Sequence, residues 1–129
     1  MTNIQEIARL NDEFRANPSR GVLVLTQGIR CNTSEDIATI INKVRNFNDF
    51  NEDNNPYGEK DFGAFEFKGK KIFWKIDYYD RELLYISPDA CNPKLTNRVL
   101  THLISSSTLV EHIISYFILP PSIHLHTLW

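Results

Sequence analysis

Cysteine is scarce, with only Cys31 and Cys91 in 129 residues. The two have neither metal-ligand spacing nor the density of a disulfide scaffold, so a reduced, cytoplasmic setting is the plain reading, with a bridge between them left open. Net charge is scarce too. A formal −2 builds in no general attraction to nucleic acid or to an anionic membrane, although a local basic patch stays open. No apolar run approaches the roughly 20 residues that span a bilayer, because Glu111 and His112 leave only Ile113 to Leu119 before Pro120 and Pro121. The opening MTNIQEIARL, with Glu6, lacks the continuous apolar core of a secretion signal. A glycine-rich phosphate loop, a serine nucleophile elbow, a zinc motif and a catalytic cysteine motif are also missing.

What the chain does have is periodicity. Ile4, Ile7, Leu10 and Phe14 recur at helical spacing, and Pro18 supplies a stop, which predicts a helix over 3–16. The apolar run from Gly21 to Thr26 reads as a strand covered on both faces. Thr33 with Asp36 approximates a capping box, and Ile37, Ile40, Ile41, Val44 and Phe47 form the stripe of a second helix. Its polar side, with Lys43 and Arg45 near Arg30, reads as a solvated helix face. Residues 61–87 read as three consecutive antiparallel strands. In the middle one, Ile72, Trp74, Ile76 and Tyr78 alternate with Phe73, Lys75, Asp77 and Tyr79, so the first four are expected to face the core.

A Lys68-Gly69 turn sets Phe65 opposite Ile72 and Glu66 opposite Lys71; a Gly69-Lys70 turn would oppose Lys68 to Lys71, which like-charge repulsion disfavours. An Asp80-Arg81 turn would place Leu83 and Tyr85 on the same core face, with Glu66, Lys71, Phe73, Lys75 and Asp77 outside. Pro93 then opens a last helix with Leu95, Val99, Leu100 and Leu103 inward. The expectation is one α+β domain over 1–101: a three-stranded antiparallel meander plus one further strand, packed with about three helices. An atypical extension follows over 102–129.

Between the second helix and the sheet lies an acidic, turn-rich segment holding Asp49, Glu52, Asp53, Glu59 and Asp61. Clustered oxygen ligands are what calcium or magnesium require, but an EF-hand starting at Asp53 would put Tyr57 at the fifth position and Ala64 at the twelfth, where no bidentate carboxylate is available. Glu66-Phe67-Lys68, with Asp53 upstream, imitates the acidic, acidic-x-lysine pattern of metal-dependent nucleases. Lys75 and Asp77 share a strand face and either simply pair or, framed by Phe73 and Tyr79, line a binding groove.

The runs Asn11 to Arg15, Glu52 to Glu59 (EDNNPYGE), Asp61 to Gly63, Trp74 to Asp80 (WKIDYYD) and Arg98 to Thr101 together resemble a small bacterial family, domain of unknown function number 3768. The resemblance covers about residues 3–101 and implies a compact α+β domain in a plasmid or integrative-element setting, without supplying an activity. The family pattern has a histidine where this chain has Lys60, and acidic residues where it has Asn48 and Asn55. Those departures remove three potential metal ligands.

Past Thr101 the tail is read either as a partner-binding helix, with Leu109, Ile113 and Phe117 on one face, or as an out-of-frame extension; the second reading is favoured, and His124 and His126 are taken as incidental. The function expected is a non-enzymatic accessory or regulatory protein of a mobile element that binds a macromolecular partner, a protein. A nucleic-acid partner has no feature that indicates one, and neither a cofactor nor a membrane is expected. The candidate binding residues are Asp53, Tyr57, Glu59, Asp61, Lys75, Asp77 and Tyr79, with no metal. The alternative is a metal-dependent hydrolase using Asp53, Glu59, Asp61 and Glu66.

Overall fold

A computed structural model describes residues 2–105. The first helix, α1, runs Asn3–Ala16 as its periodicity predicts, with Thr2 and Gln5 forming a reciprocal capping box at its start. A 3-10 turn, Pro18–Arg20, leads into strand β1, Val22–Leu25. A single turn of helix, α2 (Gln27–Arg30), precedes α3, Ser34–Arg45. The Thr33 hydroxyl accepts the Asp36 N–H at 3.1 Å, so α3 starts at the expected cap. Strands β2 (Phe62–Phe67), β3 (Lys70–Tyr79) and β4 (Asn97–Ser105) complete the fold. Among the described residues no helix is long and apolar enough to cross a membrane.

The four strands form one mixed sheet in the order β1-β4-β3-β2, with β1 parallel to β4 and the other pairs antiparallel. The β2–β3 hairpin turns at Lys68-Gly69, both at positive φ (50° and 76°), which is how a two-residue loop matches the twist of its strands. Phe65 therefore faces Ile72, and Glu66 faces Lys71.

The third antiparallel strand is not where alternation in residues 82–87 puts it. That segment is a loop with a single bridge between Tyr79 and Ile86, and Leu84, Tyr85 and Ile86 are exposed. The place beside β3 belongs to β4, which pairs with it from Tyr79↔Asn97 to Lys71↔Ser105. The helix expected after Pro93 is accordingly a strand. Leu95, Val99, Leu100 and Leu103 satisfy a helical spacing, but Val99 and Thr101 favour a pleated surface, and pairing with both β3 and β1 satisfies the backbone of β4 on both sides. β4 continues through His102 to Ser105; the rest of the expected extension, 106–129, lies outside the described residues, with Leu109, Ile113, Phe117, His124 and His126.

On one face of the sheet Trp74, Ile76 and Leu100 pack with Phe14 of α1 and Val44 of α3, while Ile72 packs with Ile29 and Ile40. Trp74 is fully buried, edge-on to Phe47 at 5.4 Å between centroids. Gly63 lies opposite it in the register, where a Cβ would sit 2.6 Å from the Trp74 indole nitrogen. The opposite face, expected to lie outside, is not an outer surface along β3: Phe73, Asp77 and Tyr79 are buried. Tyr79, Val24 and Val99 form a second apolar cluster with Val22 and Leu83 packed against it. A central strand with both faces covered keeps its alternation in sequence while losing its exposed side.

In α1 the buried residues are Ala8, Asn11, Phe14 and Arg15, whereas Ile4 is 47% exposed. The inward face is thus rotated from the apolar stripe toward two polar residues. That is sustainable because both have partners inside. Arg15 donates to the Val44 and Phe47 carbonyls at 3.1 and 2.8 Å, closing the C-terminal end of α3, pairs with Asp12, and lies over the Trp74 ring at 5.0 Å.

Candidate functional site

The acidic segment takes its shape from its asparagines. The Asn51 side chain accepts the Asp53 and Asn54 N–H groups at 2.8 and 3.1 Å, and the Asn54 side chain returns a bond to Asn51 N–H at 2.8 Å. The Asn55 side-chain Oδ1 accepts the Lys60 N–H at 2.8 Å, next to Gly58 and Lys60 at positive φ. Asn side chains suit this role because they imitate a backbone turn. Asn55, where the resemblance has an acidic residue, is thus part of the loop's internal bonding.

The loop separates its candidate residues. Asp53 is exposed, and Tyr57 projects with 78% of its surface in solvent. Glu59 turns inward and accepts the Tyr78 hydroxyl at 3.0 Å. Asn11, fully buried, donates to the Tyr78 oxygen at 2.8 Å and to the Glu59 carbonyl at 3.0 Å, and accepts from Arg98 Nε at 2.8 Å. Arg98 also donates to the Ala90 carbonyl at 2.7 Å and lies over the Tyr78 ring at 5.2 Å. Five segments of the chain meet in this network. Burial pushes the Tyr78 phenol well above its ordinary range, with the Asp61 and Glu59 charges adding to it, so Tyr78 is a neutral hydrogen-bond donor and not a working acid. Burial also draws the Arg98 guanidinium below its ordinary value.

Asp61 is held by Lys75 at 3.0 Å, and Lys75 stands 3.9 Å from Asp77 on the same face. These three candidates are therefore together, as a partly buried ion-pair group in place of an open groove. Tyr79 belongs to the apolar cluster with Val24 and Val99, its phenol raised first by burial and then by Asp77. Glu66 is exposed near the turn, and Lys68 is tied to Asp36 of α3 at 3.0 Å. Among the described residues no three His, Cys, Asp or Glu side chains gather where they could hold a metal ion. Asp53, Glu59, Asp61 and Glu66 thus have different neighbours, and the geometry of a carboxylate-held cation is not among them. Both cysteines are free; Cys91 donates to the Asn3 carbonyl at 3.3 Å, and desolvation, followed by Asp89, raises its thiol away from reactivity.

Periodicity turns Tyr78 toward the core without marking its polar partners, and it does not find Asn11, Arg15 and Arg98. The signal that could have found them is the resemblance, since its runs contain all four and Glu59 besides. Beside Arg98 opens a cleft of about 290 Å³ whose lining includes Arg9, Arg20 and Arg81, brought from separate segments.

A four-stranded mixed sheet with helices packed on one face and a buried polar clamp at the end of β3 makes this an α+β domain. The chain belongs to the family described as Protein of unknown function (DUF3768), which matches residues 25–107, more than half of its length. That span takes in the acidic segment and all of β2, β3 and β4, while α1, with Asn11 and Arg15, precedes it. No curated protein and no solved structure matches the chain.

Proposed function

We propose that this chain is a non-enzymatic accessory or regulatory protein of a bacterial mobile element, working in the cytoplasm by binding a protein partner through the outer part of its acidic loop. One observation carries the reading: Tyr57, a large side chain 78% exposed, stands on a loop held by its own asparagine hydrogen bonds, the same loop that carries the exposed Glu52 and Asp53. A tyrosine presented on a pre-organised loop loses little entropy on docking, which is why such residues anchor interfaces. The exposed Leu84, Tyr85 and Ile86 leave the end of β3 whose Tyr78 holds Glu59, and would extend the contact. Glu59 fastens the loop from inside and is not a contact residue in this reading.

Affinity capture from a host carrying the element, with mass spectrometry, followed by titration of the purified partner, tests the proposal. Tyr57→Ala and Asp53→Lys should each weaken binding about tenfold or more while leaving the melting temperature unchanged. A partner that binds both variants as tightly as the wild type would remove the loop from the interface, and reproducible capture of nothing beyond the control would remove the function.

A further inference from the structure

The cleft beside Arg98 gathers Arg9 from α1, Arg20 from the 3-10 turn, Arg81 from the loop after β3, and Arg98 from β4. Glu13 is the one carboxylate in its lining, and Arg9 already holds it at 2.9 Å, together with Glu6 at 2.5 Å. The other three guanidiniums have no carboxylate partner among the described residues. Arg81 donates to the Asn97 side chain at 3.0 Å, Arg98 donates to Asn11 and the Ala90 carbonyl, and the Arg20 guanidinium has neither a hydrogen bond nor an ion pair there. Gathering three cations without an ion-pair partner around one cavity, in a chain whose net charge is −2, costs Coulomb energy that the Glu59 and Glu6 charges offset only in part, at Arg98, and that an anion in the cavity would reverse.

We propose that this cleft is a binding site for a small phosphomonoester, with the phosphoryl group on Arg20, Arg81 and Arg98 and the organic part against Leu10, Phe14 and Pro93. A carboxylate is one planar fork with one charge and satisfies one guanidinium well. A phosphate dianion carries about two charges on three acceptor oxygens and can bridge several guanidiniums, matching what is gathered here. The volume of about 290 Å³ is at the small end of ligand cavities, enough for a phosphoryl group and a compact body. Arg98 is the fixed element: it is 7% exposed, and Asn11 and Ala90 hold it in place before any ligand arrives. Arg20 and Arg81 are exposed, so their substitution leaves the core untouched.

Calorimetric titration of the full chain at low ionic strength, with inorganic phosphate, phenyl phosphate, benzoate and a phosphotyrosine peptide as separate probes, tests the site. Phenyl phosphate should bind saturably and more tightly than inorganic phosphate, and benzoate should bind at least tenfold more weakly. Arg20→Gln and Arg81→Gln should each weaken phenyl phosphate about tenfold or more, with the melting temperature without ligand not lowered. Arg20→Lys, which keeps the charge but loses the fork, should recover only part of the affinity. Benzoate binding as well as phenyl phosphate, or affinity unaltered in both Gln variants, would overturn the assignment. A phosphopeptide binding far more tightly than phenyl phosphate would overturn the small-molecule class and make the cleft a phosphopeptide site.

Discussion

Acid should loosen this fold through one residue, His102. The imidazole is fully buried on β4, opposite Trp74 in the register, and neither ring nitrogen has a hydrogen-bond partner among the described residues. Desolvation alone brings its pKa down from 6.5 to about 4. Above the unfolded value the ring is neutral in both states and its titration contributes nothing. As pH falls below that value the unfolded chain takes up a proton that the folded chain refuses, so stability falls with falling pH between about 6.5 and about 4. At about 1.36 kcal/mol per pKa unit the full window amounts to roughly 3 kcal/mol, of which about 2 kcal/mol is lost by about pH 5.

Urea unfolding of the wild type and His102→Leu across that range isolates the effect, because the other titrating groups are common to both and cancel in the difference. The variant should lose about 2 kcal/mol less than the wild type between about pH 7.5 and about pH 5. At neutral pH it should be close to neutral, since removing two unsatisfied buried nitrogens offsets part of the lost packing. Parallel stability curves, or a wild type that gains on acidification, would show that the ring is not desolvated as described.

Trp74→Ala should cost roughly 3–5 kcal/mol in denaturant unfolding, and a loss below about 1 kcal/mol would mean the indole does not fill the core between α1, α3 and the sheet. Gly63→Ala should cost about 1–3 kcal/mol, because its Cβ would press on the buried Trp74 ring and the half-buried Phe47 ring; an unchanged midpoint would refute that close approach. Magnesium, manganese and calcium should leave the melting temperature unchanged. A saturable shift that disappears in Asp53→Ala and Asp61→Ala would revive the metal-dependent hydrolase, since a bound ion at a hundredfold excess over its dissociation constant adds about 2.7 kcal/mol.

Much of the local structure was legible from neighbouring residues alone. Pro18 ends α1, Thr33 starts α3, the charges of Lys68 and Lys71 select the hairpin register, and alternation places Trp74 inside, because each of these is decided within a few positions of the chain. The place of β4 was not legible: residues 95–103 fit a helical spacing as well as a strand, and only pairing with β1 and β3, far away in sequence, settles the choice. The same limit hid the burial of Asp77 and Tyr79, since alternation marks one face as polar without saying what covers it. It also hid the burial of Asn11, Arg15 and Arg98, whose composition argues for the surface until distant carbonyls and a hydroxyl satisfy them. In the acidic segment the sequence determined the charge and marked Tyr57 as a candidate contact, while the tertiary structure exposed Tyr57 and the contacts of Tyr78 and Lys75 decided that Glu59 and Asp61 turn inward. The arginine cleft belongs wholly to the fold, because a charge does not register in sequence how near its like-charged neighbours will be once the chain has closed around them.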